Sequence, residues 1–460
     1  HVTKPLTSLI LSRLPSRDKN MLAETHHRLL SSLHASTTTS TRRTRFQSSN
    51  KSGFVSFTAR RLRFGTKRNT SRFRAWGKPI SSSTTKDETT TETLRKDDDD
   101  EEKGAVFQGV YEFAKHRCYY ERKGDLRKAK VHVIFLHGFG VGTFHYRKQL
   151  NALGGDEEVC AWSMDICGQG KSWPRSGEDV RDFEYSMDSW RDQVEYFVRE
   201  VVLKSSTEEA KVKVVLAGNS LGGKLALYVA ATSEDITDGI ILLNATPFWG
   251  FLEKRVRFLT KENEFIVKLT QPYWDNFRSK ENVRRLLTLV YADKTKIEES
   301  LIENIIEPTE NEFAIRAFIS TFTSPKASRL SYDEMLETIR DRNESMFFKV
   351  ALCYGREDPW VVPLWGQRLK RVIKNATYYE LSPSGHCPND ETPEAVNAVV
   401  RSLLDEWFLN TTTTSVRRTL PKQIDGVSIE LVDGSPRNVF EKVDYWKDTF
   451  VSKLLSSSSA

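Results

Sequence analysis

Val212-Lys213-Val214-Val215-Leu216-Ala217-Gly218-Asn219-Ser220-Leu221-Gly222-Gly223 decides how the rest of the chain is read. The apolar run Val212 to Ala217 has the composition of a buried strand, and from Leu221 apolar residues recur at helical spacing. Between them, Gly218-Asn219-Ser220-Leu221-Gly222 matches GxSxG. A strand that turns at once into a helix leaves room only for glycine on either side of its apex, and the strained turn presents the serine hydroxyl at the top of a sheet. That serine also stands at a helix N-terminus, where N–H groups and the dipole favour developing negative charge. Ser220 is therefore the candidate nucleophile.

The alternation extends in both directions. Strands are expected at Val131 to Leu136, Val159 to Met164, Val212 to Ala217, Ile236 to Leu243, Phe347 to Tyr354 and Thr377 to Leu381. Helices are expected at about Trp190 to Leu203, Leu221 to Thr232 and Pro393 to Phe408. This pattern predicts an α/β fold, a mostly parallel central sheet flanked by helices. From about 248 to 340 the alternation stops, and the stretch reads as a helical cap inserted over the sheet's carboxyl edge.

A serine hydroxyl is a poor nucleophile without a base. Of nine His residues, His386 alone follows a late strand, in Ser384-Gly385-His386-Cys387-Pro388 before the final helix. The imidazole needs a carboxylate to hold its tautomer. Asp358 ends the run Phe347 to Tyr354 in Gly355-Arg356-Glu357-Asp358-Pro359-Trp360, which gives the chain order Ser, acid, His. Its rivals are Glu357, which should point away if Asp358 points in, and Asp390, which follows the His. Two backbone N–H groups must meet the oxyanion, and Phe139, in His137-Gly138-Phe139-Gly140, and Leu221 are placed to supply them. His137 itself reads as a brace for that loop. Gly168-Gln169-Gly170-Lys171-Ser172 looks like the end of a phosphate-binding loop, but that loop's first glycine would fall on Asp165, so the segment reads as the turn after the fourth strand.

Charge is unevenly spread. Residues 1 to 85 hold 17 of the 69 Lys/Arg and 2 of the 62 Asp/Glu, so this part carries +15 and the remainder −8. A mildly acidic folded region argues against nucleic acid as a partner. The Ser-, Thr- and Arg-rich residues 1 to 80 read as an organelle transit peptide, and residues 81 to 104, with six consecutive acids at Asp97 to Glu102, as a solvated linker. Five cysteines match neither a small disulfide framework nor a zinc site, which fits a reducing compartment. No run approaches eighteen apolar residues. Residues 411 to 460 form a tail with no interpretable motif.

Longer stretches carry a more specific signal. Phe135-Leu136-His137-Gly138-Phe139-Gly140-Val141-Gly142, Leu242-Leu243-Asn244-Ala245-Thr246-Pro247-Phe248-Trp249-Gly250-Phe251, Tyr354-Gly355-Arg356-Glu357-Asp358-Pro359-Trp360 and the Ser220 and His386 loops resemble the pheophytinases, plastid enzymes of the α/β-hydrolase fold. The resemblance covers about residues 105 to 410. It implies a catalytic Ser220 and His386, with Asp358 as the acid expected from the fold. It also implies cleavage of the phytyl ester of pheophytin or a related phytylated pigment, and a chloroplast location. The chemistry needs no metal or organic cofactor. Burying a phytyl chain requires an apolar cleft, for which Phe248, Trp249, Phe251, Tyr273, Trp274, Phe277 and Trp360 are candidates. Peripheral contact with the thylakoid membrane is expected from the substrate's insolubility. The rival readings are a chlorophyll dephytylase, a general carboxylesterase or lipase, and a non-enzymatic receptor on the same fold.

Overall fold

A computed structural model describes residues 105–206, 212–247, 261–323, 328–409, 420–435 and 442. The leader and linker expected at 1 to 104 lie outside them, as do Phe248, Trp249 and Phe251. The strands are β1 (Phe107–Phe113), β2 (His116–Lys123), β3 (Val131–Leu136), β4 (Val159–Met164), β5 (Trp173–Pro174), β6 (Lys213–Asn219), β7 (Gly239–Leu243), β8 (Lys349–Gly355), β9 (Thr377–Ser382), β10 (Gln423–Ile424) and β11 (Val427–Leu431). They form one sheet in the order β1-β2-β4-β3-β6-β7-β8-β9-β11-β10, with β5 beside β2. From β4 to β9 every neighbouring pair is parallel, and antiparallel hairpins extend both edges.

Every residue of β3, β4 and β7 is buried, as strands covered on both faces must be. Side-chain alternation sends Val131, Val133 and Phe135 to one core and Ile134 and Leu136 to the other. Helices α1 (Arg147–Leu153) and α12 (Pro393–Leu404) cover the first face. On the second lie α3 (Met187–Phe197), α4 (Leu221–Thr232), α9 (Tyr332–Glu344) and α10 (Pro363–Val372). Helix α2 (Gly177–Asp182) is a short element ahead of α3, and α11 (Pro388–Glu391) is a single turn ahead of α12. This is the α/β sandwich expected.

Between β7 and β8 the described residues form α5 (Glu264–Phe277), α6 (Lys280–Val290), α7 (Glu299–Ile306), α8 (Ala314–Thr323) and α9, with no strand among them. Asn263 and Ser279 cap α5 and α6 through side-chain oxygens that accept N–H bonds from the first turn. Met335, Leu336 and Ile339 of α9 belong to the core under the sheet, so α5 to α8 are the helices free to surround a site.

The structure adjusts several of the expected elements. The strand expected from Ile236 begins at Gly239, because Glu234–Ile236 form a 3₁₀ turn. The strand expected from Phe347 begins at Lys349 and leaves Phe347 exposed. The sheet continues past residue 410, since β11 pairs with β9 from Ser428 opposite Ser382 to Leu431 opposite Tyr379. Among the described residues no helix is long and apolar enough to cross a membrane.

Candidate active site

Ser220 sits between β6 and α4 at φ 54° and ψ −116°, a conformation that costs a non-glycine residue of order 1–3 kcal/mol and persists only where its surroundings hold it. They do: Ser220 N–H donates to Leu243 O at 3.0 Å, and Ser220 O accepts from Thr246 N and Lys224 N, both at 3.1 Å. The flanking glycines are required by space. A Cβ on Gly218 would lie 2.3 Å from the Gly222 backbone, and one on Gly222 would lie 1.9 Å from Leu136 O.

The structure brings the two candidate partners, Asp358 and His386, together. His386 Nδ1 lies 2.6 Å from Asp358 Oδ2. The same carboxylate accepts the Asn244 amide on Oδ2 at 2.7 Å, and the Trp360 and Val361 N–H groups on Oδ1 at 2.7 and 3.0 Å. Burial by itself would raise the Asp358 carboxyl, but the bond from His386, that ring's charge and the two N–H groups outweigh it and hold the carboxyl below its ordinary value. Asn244 is itself fixed at φ 41°, with its Oδ1 accepting Gly355 N–H at 2.9 Å.

Neither rival acid reaches the imidazole. Glu357 accepts Ser382 Oγ and Ser384 N–H, pointing away as expected. Asp390 is held by Arg147 at 3.0 Å, Lys148 at 3.2 Å and the Tyr291 hydroxyl at 2.9 Å.

The His386 loop is tied to its surroundings on both sides. Asn219 Nδ2 donates to His386 O at 2.8 Å, and His386 N–H donates to Val290 O, at the end of α6, at 2.8 Å. Ser220 and His386 line one cavity. Among the described residues Ser220 Oγ makes no hydrogen bond, and such contacts are often long until a substrate is bound.

The expected oxyanion loop lies against Ser220, where a Cβ on Gly138 would stand 3.5 Å from Ser220 Cβ. Phe139 and Ser220 border the same cavity, and Leu221 is the first residue of α4. His137 is wholly buried and braces the loop: Nε2 accepts Ile166 N–H at 3.0 Å, so Nδ1 carries the proton and donates to Gly138 O at 2.7 Å. Burial lowers its pKa to about 4, which keeps the ring neutral. The turn after β4 supports the same loop, since Gln169 Oε1 accepts Gly140 N–H at 2.8 Å. Asp165 organises that turn by accepting Thr143 and Lys171 N–H groups at 2.6 and 2.7 Å, and burial pushes its carboxyl up to about 7.

The cavity measures about 580 Å³. Of the aromatic candidates, Trp274, Trp360, Tyr273 and Phe277 are among the residues that line it. Trp274 is buried, with its ring 4.9 Å from Phe318, whereas Trp360 is 55% exposed at the rim, 5.3 Å from the His386 ring. Sequence reasoning missed Phe318 and Phe322, whose four-residue spacing on α8 marks a shared face but not what that face covers. It also missed the buried amides Asn219 and Asn244, which look like ordinary turn residues until their partners are known. Among the described residues no group of three or more His, Cys, Asp or Glu is placed to hold a metal.

The alpha/beta hydrolase family pattern matches residues 133–399. Pheophytinase, chloroplastic, of Arabidopsis thaliana is 39% identical over 323 residues, 62% of this chain and 64% of that protein, so the chain spans less than two thirds of that relative. The uncharacterized hydrolase YugF of Bacillus subtilis is 24% identical over 58% of this chain and 86% of its own. The solved serine hydrolase of carbazole degradation, CarC, is 18% identical over 66% of this chain and 100% of its own, with a TM-score of 0.49.

Proposed function

The chain belongs to the alpha/beta hydrolase family, and from that premise we propose that it is a serine ester hydrolase that cleaves the phytyl ester of a chlorophyll-derived pigment, pheophytin in the first instance. The observation that carries this reading is the Asp358–His386 pair, which opens into the same aromatic cavity as Ser220. The likeness to an Arabidopsis pheophytinase supplies the substrate class.

Ser220 Oγ attacks the ester carbonyl as His386 takes its proton, and Asp358 stabilises the imidazolium so formed. The Phe139 and Leu221 N–H groups receive the oxyanion. Phytol then leaves with the proton held by His386, and water, activated by the same imidazole, releases the acid and restores Ser220. Transfer of the tail from water into the cavity is worth about 0.8 kcal/mol per CH₂, which favours a long apolar alcohol over a short one.

The proposed location is the chloroplast, supported by the same likeness and by the basic, acid-poor composition of residues 1 to 85. Peripheral binding to thylakoid lipid goes with it, and co-sedimentation with galactolipid vesicles that hold pigment would check that part.

The deciding experiment incubates the chain and its Ser220→Ala variant with pheophytin, chlorophyll and a short-chain ester, and follows released alcohol. Phytol release from pheophytin that vanishes in the variant is the expected result. Turnover of the short ester alone would make the protein a general esterase, and preference for chlorophyll a chlorophyll dephytylase. No turnover of any ester would favour a receptor.

A further inference from the structure

His145 follows the oxyanion loop, lines the cavity and is 2% exposed, yet none of the chemistry described above uses it. Its ring Nδ1 lies 3.4 Å from Asn389 Nδ2, and that same amide nitrogen donates to His145 O at 3.0 Å. An amide NH₂ has two hydrogens to give and cannot accept. Turning the amide over would set its oxygen against the His145 carbonyl, so the nitrogen must stay where it is and Nδ1 must be the acceptor. The proton of the neutral ring is therefore on Nε2.

Burial first, and then the positive charges of Arg147 and Lys148, lower this ring's pKa to about 4 against an opposing pull from Asp390, so it stays a neutral donor at physiological pH. Among the described residues Nε2–H has no hydrogen-bond partner, although buried donors are nearly always paired. Nor is this nitrogen among the fully enclosed atoms that lack partners, so it keeps accessible surface on a residue that lines the cavity.

We infer that His145 is a specificity-determining residue whose Nε2–H donates to an acceptor oxygen on the acyl part of the substrate, apart from the ester that Ser220 attacks. This rests on the reading of the site as a pigment esterase. The phytyl alcohol is a hydrocarbon beyond its ester oxygen, so a second acceptor must come from the carbonyl groups on the macrocycle. An unpaired donor in a largely aromatic and aliphatic wall selects strongly, because a ligand without the acceptor leaves it desolvated and unpaired.

The test compares wild type, His145→Phe and His145→Gln on pheophytin and on 4-nitrophenyl decanoate, which has no acceptor beyond its ester and ring substituent. The phenylalanine variant should lose about tenfold in kcat/KM on pheophytin, mainly through KM, and less than about twofold on the decanoate. Glutamine, which keeps an N–H donor, should restore most of the loss. If His145→Phe melts early, His145→Leu takes its place. Equal losses on both esters, failure of glutamine to restore, or an unchanged rate on pheophytin would each overturn the assignment. A wild type inactive on pheophytin would instead overturn the function proposed above, and is distinguished by that control.

Discussion

The loops at the carboxyl edge of the sheet and the helices α5 to α8 both border the cavity, but they are built on different physics. In the loops, position is set by backbone contacts too close for any side chain and by hydrogen bonds with defined donors. Gly222 lies against Leu136 O, Ser220 is held in a strained turn, and Asp358 accepts four bonds from His386, Asn244, Trp360 and Val361. The helices instead offer rings such as Tyr273, Trp274, Phe277 and Phe318 that pack at centroid distances of 4.9 to 6.3 Å, where one ring can stand in for another. A contact that admits one geometry fails all at once when altered. A contact that works by area fails gradually.

Substitutions can break that contrast. Asp358→Asn should have the largest effect, a fall of about 10⁴-fold in kcat read by steady-state kinetics, because an amide cannot hold the imidazole in the required tautomer. A residual rate within tenfold of wild type would remove Asp358 from its role. Gly222→Ala should destabilise the fold by about 4 kcal/mol or more, since the new methyl meets backbone on both β3 and the next loop. Urea unfolding measures it, and a variant as stable as wild type would contradict the packing argument.

Asp165 supplies an effect of pH. Its folded pKa of about 7 lies above the unfolded value, so between about pH 4 and 7 the unfolded chain gives up a proton that the folded chain keeps, and stability falls as pH rises through that window. Relative to wild type, Asp165→Asn should therefore gain up to about 4 kcal/mol between pH 4 and 7, whatever constant cost the altered hydrogen bonds impose. A difference independent of pH would show that Asp165 is ionised in the fold. The smallest effect is expected at Trp274→Ala, which should raise KM for a long-chain ester about tenfold and leave a short ester within about twofold. A loss of kcat on both would place Trp274 with the loops instead of the helices.

The same contrast governs what could be read from the chain. Ser220 was legible because a strand, two glycines and a helix start adjoin in sequence. His386 and Asp358 were legible because each follows a strand in a fixed chain order. The β1–β2 hairpin was not expected, because its turn residues Ala114 and Lys115, at φ 47° and 64°, replace the Asn and Gly that usually announce such a turn. The C-terminal hairpin was unexpected for another reason: five residues of β11 become a strand only because the edge of β9 offers unpaired backbone groups.

By itself the sequence determined the α/β architecture and pointed to Ser220 as candidate nucleophile with its candidate partners in order, since strand composition, helical periodicity and glycine at an over-tight turn are local properties. Only the tertiary structure decided that Asn244 and Asn219 hold Asp358 and the His386 loop, that Phe318 and Phe322 line the cavity, and that His145 lines it too. Those roles depend on residues brought together from more than a hundred positions apart, and neither amide composition nor helical spacing carries the address of a distant partner.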